Sequence, residues 1–154
     1  MTMNQDAPNN IGFQTFDELR ILKERGFYGI TLPVVTSIPG TQAQTAANFT
    51  APFFIANRPY QVLYATERHE TAGTSGSAVT MQLAKVPSGT APASGTNILK
   101  TAIDLKATAN VNQLPVPVVG SASILNPGDA LSLITTGTLT SLAGVTVSVL
   151  LKAV

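Results

Sequence analysis

From about residue 50 onward, apolar and polar residues alternate with a period of two in several short runs. Along residues 78–85, Val79, Met81 and Leu83 alternate with Thr80, Gln82 and Ala84; near the end, Val145, Val147, Val149 and Leu151 alternate with Thr146, Ser148 and Lys152. A two-residue period puts each set on one face, so both runs predict strands with one buried and one wetter side. Leu150 is the apolar exception on the outer side. Further runs at 49–56, 60–67, 97–109, 111–119, 121–125 and 130–136 raise the expectation to about eight strands. Asn57-Arg58-Pro59 and Asn126-Pro127-Gly128-Asp129 supply turn chemistry between them. This spacing predicts a mainly β chain of two packed antiparallel sheets, with Val79, Met81, Leu83, Leu131, Leu133, Val145, Val147 and Val149 in the core. Gly/Ser/Thr/Ala-rich stretches at 71–77 and 87–96 read as exposed loops.

A helical period is present only near the start. Phe16, Leu19 and Leu22 form an apolar stripe with Ile21 on the opposite side, Thr15 and Glu18 make a capping box, and Gly26 stands where a left-handed closing residue is wanted. Asp17 and Glu18 in the first turn and Lys23 and Arg25 in the last complement the helix dipole. These features predict one short α-helix over 15–25. At about ten residues it is too short to persist alone in water, so it must dock on its own domain or on another chain. Seven of the 17 charged residues fall within residues 1–32. The chain therefore divides into an N-terminal arm, 1–40, and a β-sandwich domain, 41–154. Phe13, Phe16, Leu19, Ile21 and Leu22 are the candidate partner-binding residues of the arm.

Composition narrows the function classes. A net charge of +1 with 11% charged residues offers no basic surface for phosphates, so no nucleic-acid partner is expected. The absence of cysteine excludes disulfides, thiolate metal sites and cysteine nucleophiles. No apolar leader follows Met1, and the longest nearly apolar stretch, 142–154, includes Lys152 and falls short of the roughly 20 residues of a membrane span. Neither export nor membrane insertion is expected. All nine aromatics lie at or before Tyr64, leaving an aliphatic core for the last 90 residues.

Candidate chemistry is sparse. The single histidine sits in Glu67-Arg68-His69-Glu70, where two carboxylates and an imidazole could hold a divalent metal or form an acid/base set. Continued alternation places Glu67 and His69 on one face and Glu70 on the other. The expectation is a solvated strand end, with a pH-sensitive contact as the alternative. Ser75 in Gly73-Thr74-Ser75-Gly76 lacks the spacing of a nucleophile elbow. Asp104 and Asp129 have no neighbouring carboxylate in sequence to complete a glycosidase pair or calcium loop. No catalytic, cofactor or metal site is expected, and the chain reads as a non-enzyme. Typical sugar sites stack on aromatic faces, but there is no tryptophan, and Tyr60 and Tyr64, on a shared strand face, are expected in the core. Phe53 and Phe54 are expected to put one ring on each side of their strand.

Taken together, Tyr60-Gln61-Val62-Leu63-Tyr64, the 78–85 strand, Asn97-Ile98-Leu99, Asp104-Leu105-Lys106, Asn126-Pro127-Gly128-Asp129-Ala130-Leu131 and Leu142-Ala143-Gly144-Val145-Thr146-Val147 resemble the small β-sandwich accessory proteins of tailed-phage heads. These are cement or decoration proteins and the bases of head spikes. The resemblance covers about residues 50–154 and rests on strand order and turn chemistry. It implies an antiparallel jelly-roll-like sandwich, often a homotrimer, on the outside of an icosahedral capsid in the virion. The implied partner is the major capsid protein, with no cofactor. The alternative is a receptor- or carbohydrate-binding sandwich module of a spike or fibre. A low-charge chain rich in Thr, Ala and Gly suits burial among copies of itself and a shell, where weak contacts add. Its long, nearly uncharged last strand is an aggregation hazard unless paired internally or across subunits.

Overall fold

Nested antiparallel pairing organises the chain in a computed structural model that describes residues 31–42, 50–115, 117 and 120–154. The strands are β1 (Thr31–Thr41), β2 (Thr50–Ile55), β3 (Tyr60–Arg68), β4 (Thr80–Val86), β5 (Thr96–Asn97), β6 (Ile103–Asp104), β7 (Ile124–Leu125), β8 (Ala130–Thr136) and β9 (Ala143–Ala153). First pairs with last, β1 with β9; then β2 with β8 and β3 with β7, while β4 folds back on β5 and β6. That is the pairing of one long hairpin. Rolling the hairpin up adds the β3–β9 and β4–β8 ladders. The result is a sheet of order β1-β9-β3-β7 and a second of order β2-β8-β4-β5, with β6 also beside β4. Such double-sheet winding is jelly-roll order.

The core lies between the sheets and is aliphatic. All of the expected core residues, Val79, Met81, Leu83, Leu131, Leu133, Val145, Val147 and Val149, are buried there with Leu105, Leu125, Leu139 and Leu151. Each such side chain contributes about 1.5–3 kcal/mol by leaving water. β9 alternates buried and outer residues along its whole length, with Leu150 half-buried on the outer side as its position requires. It lies between β1 and β3, so the hazardous strand is paired internally. The edges fall instead to strands such as β1 and β2, which carry Pro33, Pro39 and Pro52. Proline lacks the N–H that an intruding strand would use, which blunts an edge.

Several expectations need correction. A boundary after residue 40 falls inside β1, whose register with β9 runs from Thr31–Lys152 to Thr41–Ala143, so this strand belongs to the sandwich and not to an arm. The 15–25 helix and Phe13, Phe16, Leu19, Ile21 and Leu22 lie outside the described residues. The 97–109 run is not one strand but the two-residue β5 and β6 around a loop, and the described residues of 111–119 contribute isolated bridges at Gln113 and Pro117. Asp104 is the local cause: its Oδ1 accepts from the Lys106 N–H at 2.9 Å and its carbonyl from the Ala107 N–H at 3.3 Å. An aspartate bonding its own backbone two residues on makes a turn and competes with a ladder. Asn126-Pro127-Gly128-Asp129 does turn as expected, with Gly128 at φ +89°, a conformation that strains an L side chain, and the buried Asp129 accepting the Asn126 N–H at 2.8 Å.

Candidate functional site: a buried carboxylate–imidazole pair beneath an apolar outer row

One irregularity in β3 determines which of its residues face the core. Between Val62 and Tyr64 the register against β9 slips by one residue. Tyr60 and Val62 point inward, but beyond the slip the inward set is Ala65, Glu67 and His69. Strict alternation from Tyr60 would have sent Thr66 and Arg68 inward instead. The bulge thus turns a carboxylate and the single imidazole into the interior and turns Tyr64 out.

Glu67 and His69 are both fully buried, which corrects the expectation of a solvated strand end. They share a face, as alternation required, and His69 Nδ1 lies 2.9 Å from Glu67 Oε1. His69 Nε2 meets the carbonyl of Ala107 at 3.0 Å. Gln113 Nε2 donates to Glu67 Oε2 and to the Asp104 carbonyl, each at 2.8 Å. The backbones close the same contact, with the Glu67 N–H donating to the Gln113 carbonyl at 3.0 Å and the Gln113 N–H to the Glu67 carbonyl at 2.7 Å. Asn110, at φ +62°, donates its N–H to the His69 carbonyl at 2.8 Å. Loss of solvation pushes the Glu67 carboxyl above its ordinary 4.5, against the opposing pull of the His69 hydrogen bond and charge and of the Gln113 amide. What these residues do together is fasten the 104–113 loop to the end of β3.

The other chemical candidates are not brought to this pair. Glu70 is exposed, and among the described residues no three His, Asp or Glu side chains converge as a metal-holding group. Ser75 lies in its loop with Oγ 3.2 Å from Ser77 Oγ, while both His69 nitrogens are engaged elsewhere. Asp104 serves its own turn, and Asp129 the turn before β8. The pairing of Glu67 with Gln113, which sequence reading missed, has no local signal, because Gln113 stands beside another polar residue, Asn112, at the start of the run 111–119.

Above the pair, the outer face of the first sheet carries a row that crosses three strands. Pro33 on β1 registers with Leu150 on β9, and Leu150 with Tyr64 on β3. Val35 adds to the β1 end at 63% exposure, and Leu114 to the far end at 71%. Leu63, Tyr64, Thr66, Asn112, Leu114, Pro115 and Pro117 line a groove of about 600 Å³ there. Tyr64, expected in the core with Tyr60, is instead 48% exposed in this groove because of the bulge. On the opposite sheet a second bulge, between Pro52 and Phe54, brings both Phe53 and Phe54 against the core, so the expected one-in, one-out arrangement does not occur. Phe54 meets Tyr60 edge-on, with ring centres 5.6 Å apart and planes at 73°.

No family model and no curated protein sequence matches the chain. Among solved structures it is similar to a chain of the cyanophage Pam1 capsid asymmetric unit, at 14% identity over 84% of this chain and 89% of that one, with a TM-score of 0.47. A chain of the infectious bursal disease virus Gx strain follows at 15% identity over 79% of this chain and 32% of that one, with a TM-score of 0.38. The third is a chain of Bacillus endospore appendages, described as disulfide-linked pili, at 15% identity over 82% and 90% of the two chains and a TM-score of 0.34. Structural neighbours of the chain thus include viral capsid proteins.

Proposed function

We propose that the chain is a structural virion protein that binds the outside of an icosahedral phage capsid and cements or decorates it, without catalysis. The observation that supports this best is the outward apolar row Pro33–Leu150–Tyr64 with Val35 and Leu114, on a jelly roll with few charges. An outward apolar row of this kind marks a contact surface. In this reading an anchoring arm carrying Phe13, Phe16, Leu19, Ile21 and Leu22, which precedes β1 in the chain, adds to the attachment. The partner in this reading is the major capsid protein, the location is the capsid surface, and copies assemble as a homotrimer.

Gradient sedimentation of source particles stripped of the protein and mixed with purified chain tests the proposal. Wild type is expected to co-sediment, and Val35→Lys with Leu150→Lys to lose binding at least tenfold, as for removal of a central apolar contact. Phe16→Ala with Leu19→Ala should weaken attachment comparably while leaving the sandwich folded. Undiminished attachment of a chain beginning at Thr31 would remove the arm from the account; undiminished attachment of the Lys variant would remove the face.

A second reading, a receptor- or carbohydrate-binding module, draws on the exposed Tyr64 ring standing in a groove with Thr66 and Asn112. Saturable binding on a glycan array, abolished by Tyr64→Ala, would favour it over cementing.

A further inference from the structure

The hydrogen bonds around His69 fix the number of protons held there. A carbonyl only accepts, so His69 Nε2 carries a hydrogen toward Ala107. Gln113 Nε2 has two hydrogens and places one on the Asp104 carbonyl and one on Glu67 Oε2, which must accept. One hydrogen is then required between Nδ1 and Oε1 at 2.9 Å, so imidazole and carboxyl share a single proton and the pair is neutral overall. Removing that proton leaves a carboxylate facing an imidazole lone pair at a site without solvent. Adding a second leaves a carboxyl O–H with no acceptor, because Oε2 already meets an N–H.

We propose that the Glu67–His69–Gln113 cluster is a proton-operated latch, which holds residues 104–115 against the end of β3 and releases them when the shared proton is lost. The two carbonyls that anchor it, those of Asp104 and Ala107, belong to the held segment, as do the Asn110 and Gln113 amides bonded to β3. Opening therefore breaks side-chain and backbone contacts together. Among the described residues, no other titratable group on the surrounding elements points into the cluster. On β3 and just beyond it, Arg68 and Glu70 are exposed, and the Glu70 side chain lies over Gly144. In the loop, Asp104 Oδ1 accepts from the Lys106 N–H, and Lys106 Nζ donates to the Ser75 and Ser77 carbonyls. Across on β9, the inward residues near Glu67 are Val145 and Val147. Leu114 and Pro115, at the end of the held segment, wall the outer groove, so the latch also sets the shape of that groove.

Hydrogen exchange on the full chain from about pH 5 to about pH 9.5, with intrinsic rates divided out, reads the opening directly. The Asn110 and Gln113 amides are expected to show an opening constant that rises by up to tenfold per pH unit above about 6.5, where an opened, solvated imidazole gives up the proton that the latched pair keeps, while Leu133 and Val147 keep their protection. Glu67→Gln supplies a fixed hydrogen, with its amide donating to neutral Nδ1 and its carbonyl accepting from Gln113. That variant should stay latched with no pH slope. A flat wild-type profile would overturn the proposal even if the variant failed to fold, and so would a Glu67→Gln chain that kept the wild-type slope.

Discussion

β9 and β3 lie side by side in one sheet, are of similar length and follow the same antiparallel rule, yet only β9 reads directly from its residues. In β9, uninterrupted alternation delivers Val145, Val147, Val149 and Leu151 to the core. In β3 a single extra residue at the bulge resets the faces, so a tyrosine goes to water and a glutamate and a histidine go inside. Hydrophobic preference alone would have chosen the reverse. What makes the β3 arrangement tolerable is that every buried polar atom of the pair has a partner, from each other, from Gln113 and from the Ala107 carbonyl. A regular strand is stabilised by which residues it buries, a bulged one by what those residues find when buried.

The contrast can be broken by deleting one residue from each strand. Removing Ser148 from β9 flips Val149, Leu151 and Ala153 to the outer face, and the chain is expected not to fold at all. Removing Leu63 excises the bulge, keeps Ala65, Glu67 and His69 inward, and should leave a folded chain weakened by about 1–3 kcal/mol in a urea titration. Equal outcomes would show that β3 carries no extra residue.

Point changes sharpen the same comparison. Val147→Asp buries an unpaired charge and should cost about 4–5 kcal/mol or more, whereas Thr146→Asp, on the exposed side, should stay within about 0.5 kcal/mol. His69→Ala strands Glu67 and frees the Ala107 carbonyl, with an expected loss of about 3–5 kcal/mol by denaturant unfolding. The effect of pH is smaller than the losses at Val147 and His69. Because burial raises the Glu67 carboxyl above 4.5, the folded chain keeps a proton that the unfolded chain has released. The stability this group contributes is complete below about 4.5 and is lost as pH rises through its folded pKa, at no more than about 1.4 kcal/mol per pH unit. Melting temperatures of wild type and Glu67→Gln across that range should diverge accordingly, with wild type falling away as pH rises.

Much of the sandwich was legible because β9 alternates along its whole length, because Met81 and Leu83 in β4 and Leu131 and Leu133 in β8 keep the same two-residue spacing, and because the Asn-Pro-Gly-Asp turn has one dominant geometry. β1 was not, because Pro33 and Pro39 read as loop punctuation, although Leu32, Val34 and Ile38 alternate with them; on an edge strand, outward prolines are compatible with a ladder. The bulge in β3 has no glycine or proline to mark it, so its residues read as plain alternation. That missing mark hid the site: the face shared by Glu67 and His69 was correct, but which side it pointed to was not. Gln113 joins Glu67 from a distant segment, and no local pattern could place it there.

Cryo-electron microscopy of the source particle tests the central claim, that this sandwich is a capsid-bound structural protein, most directly. The account predicts jelly-roll density on the outside of the shell, with Val35, Leu150, Tyr64 and Leu114 covered by the major capsid protein or by a neighbouring copy. Particles lacking that density, or bearing it with this face open to solvent on every copy, would contradict the account.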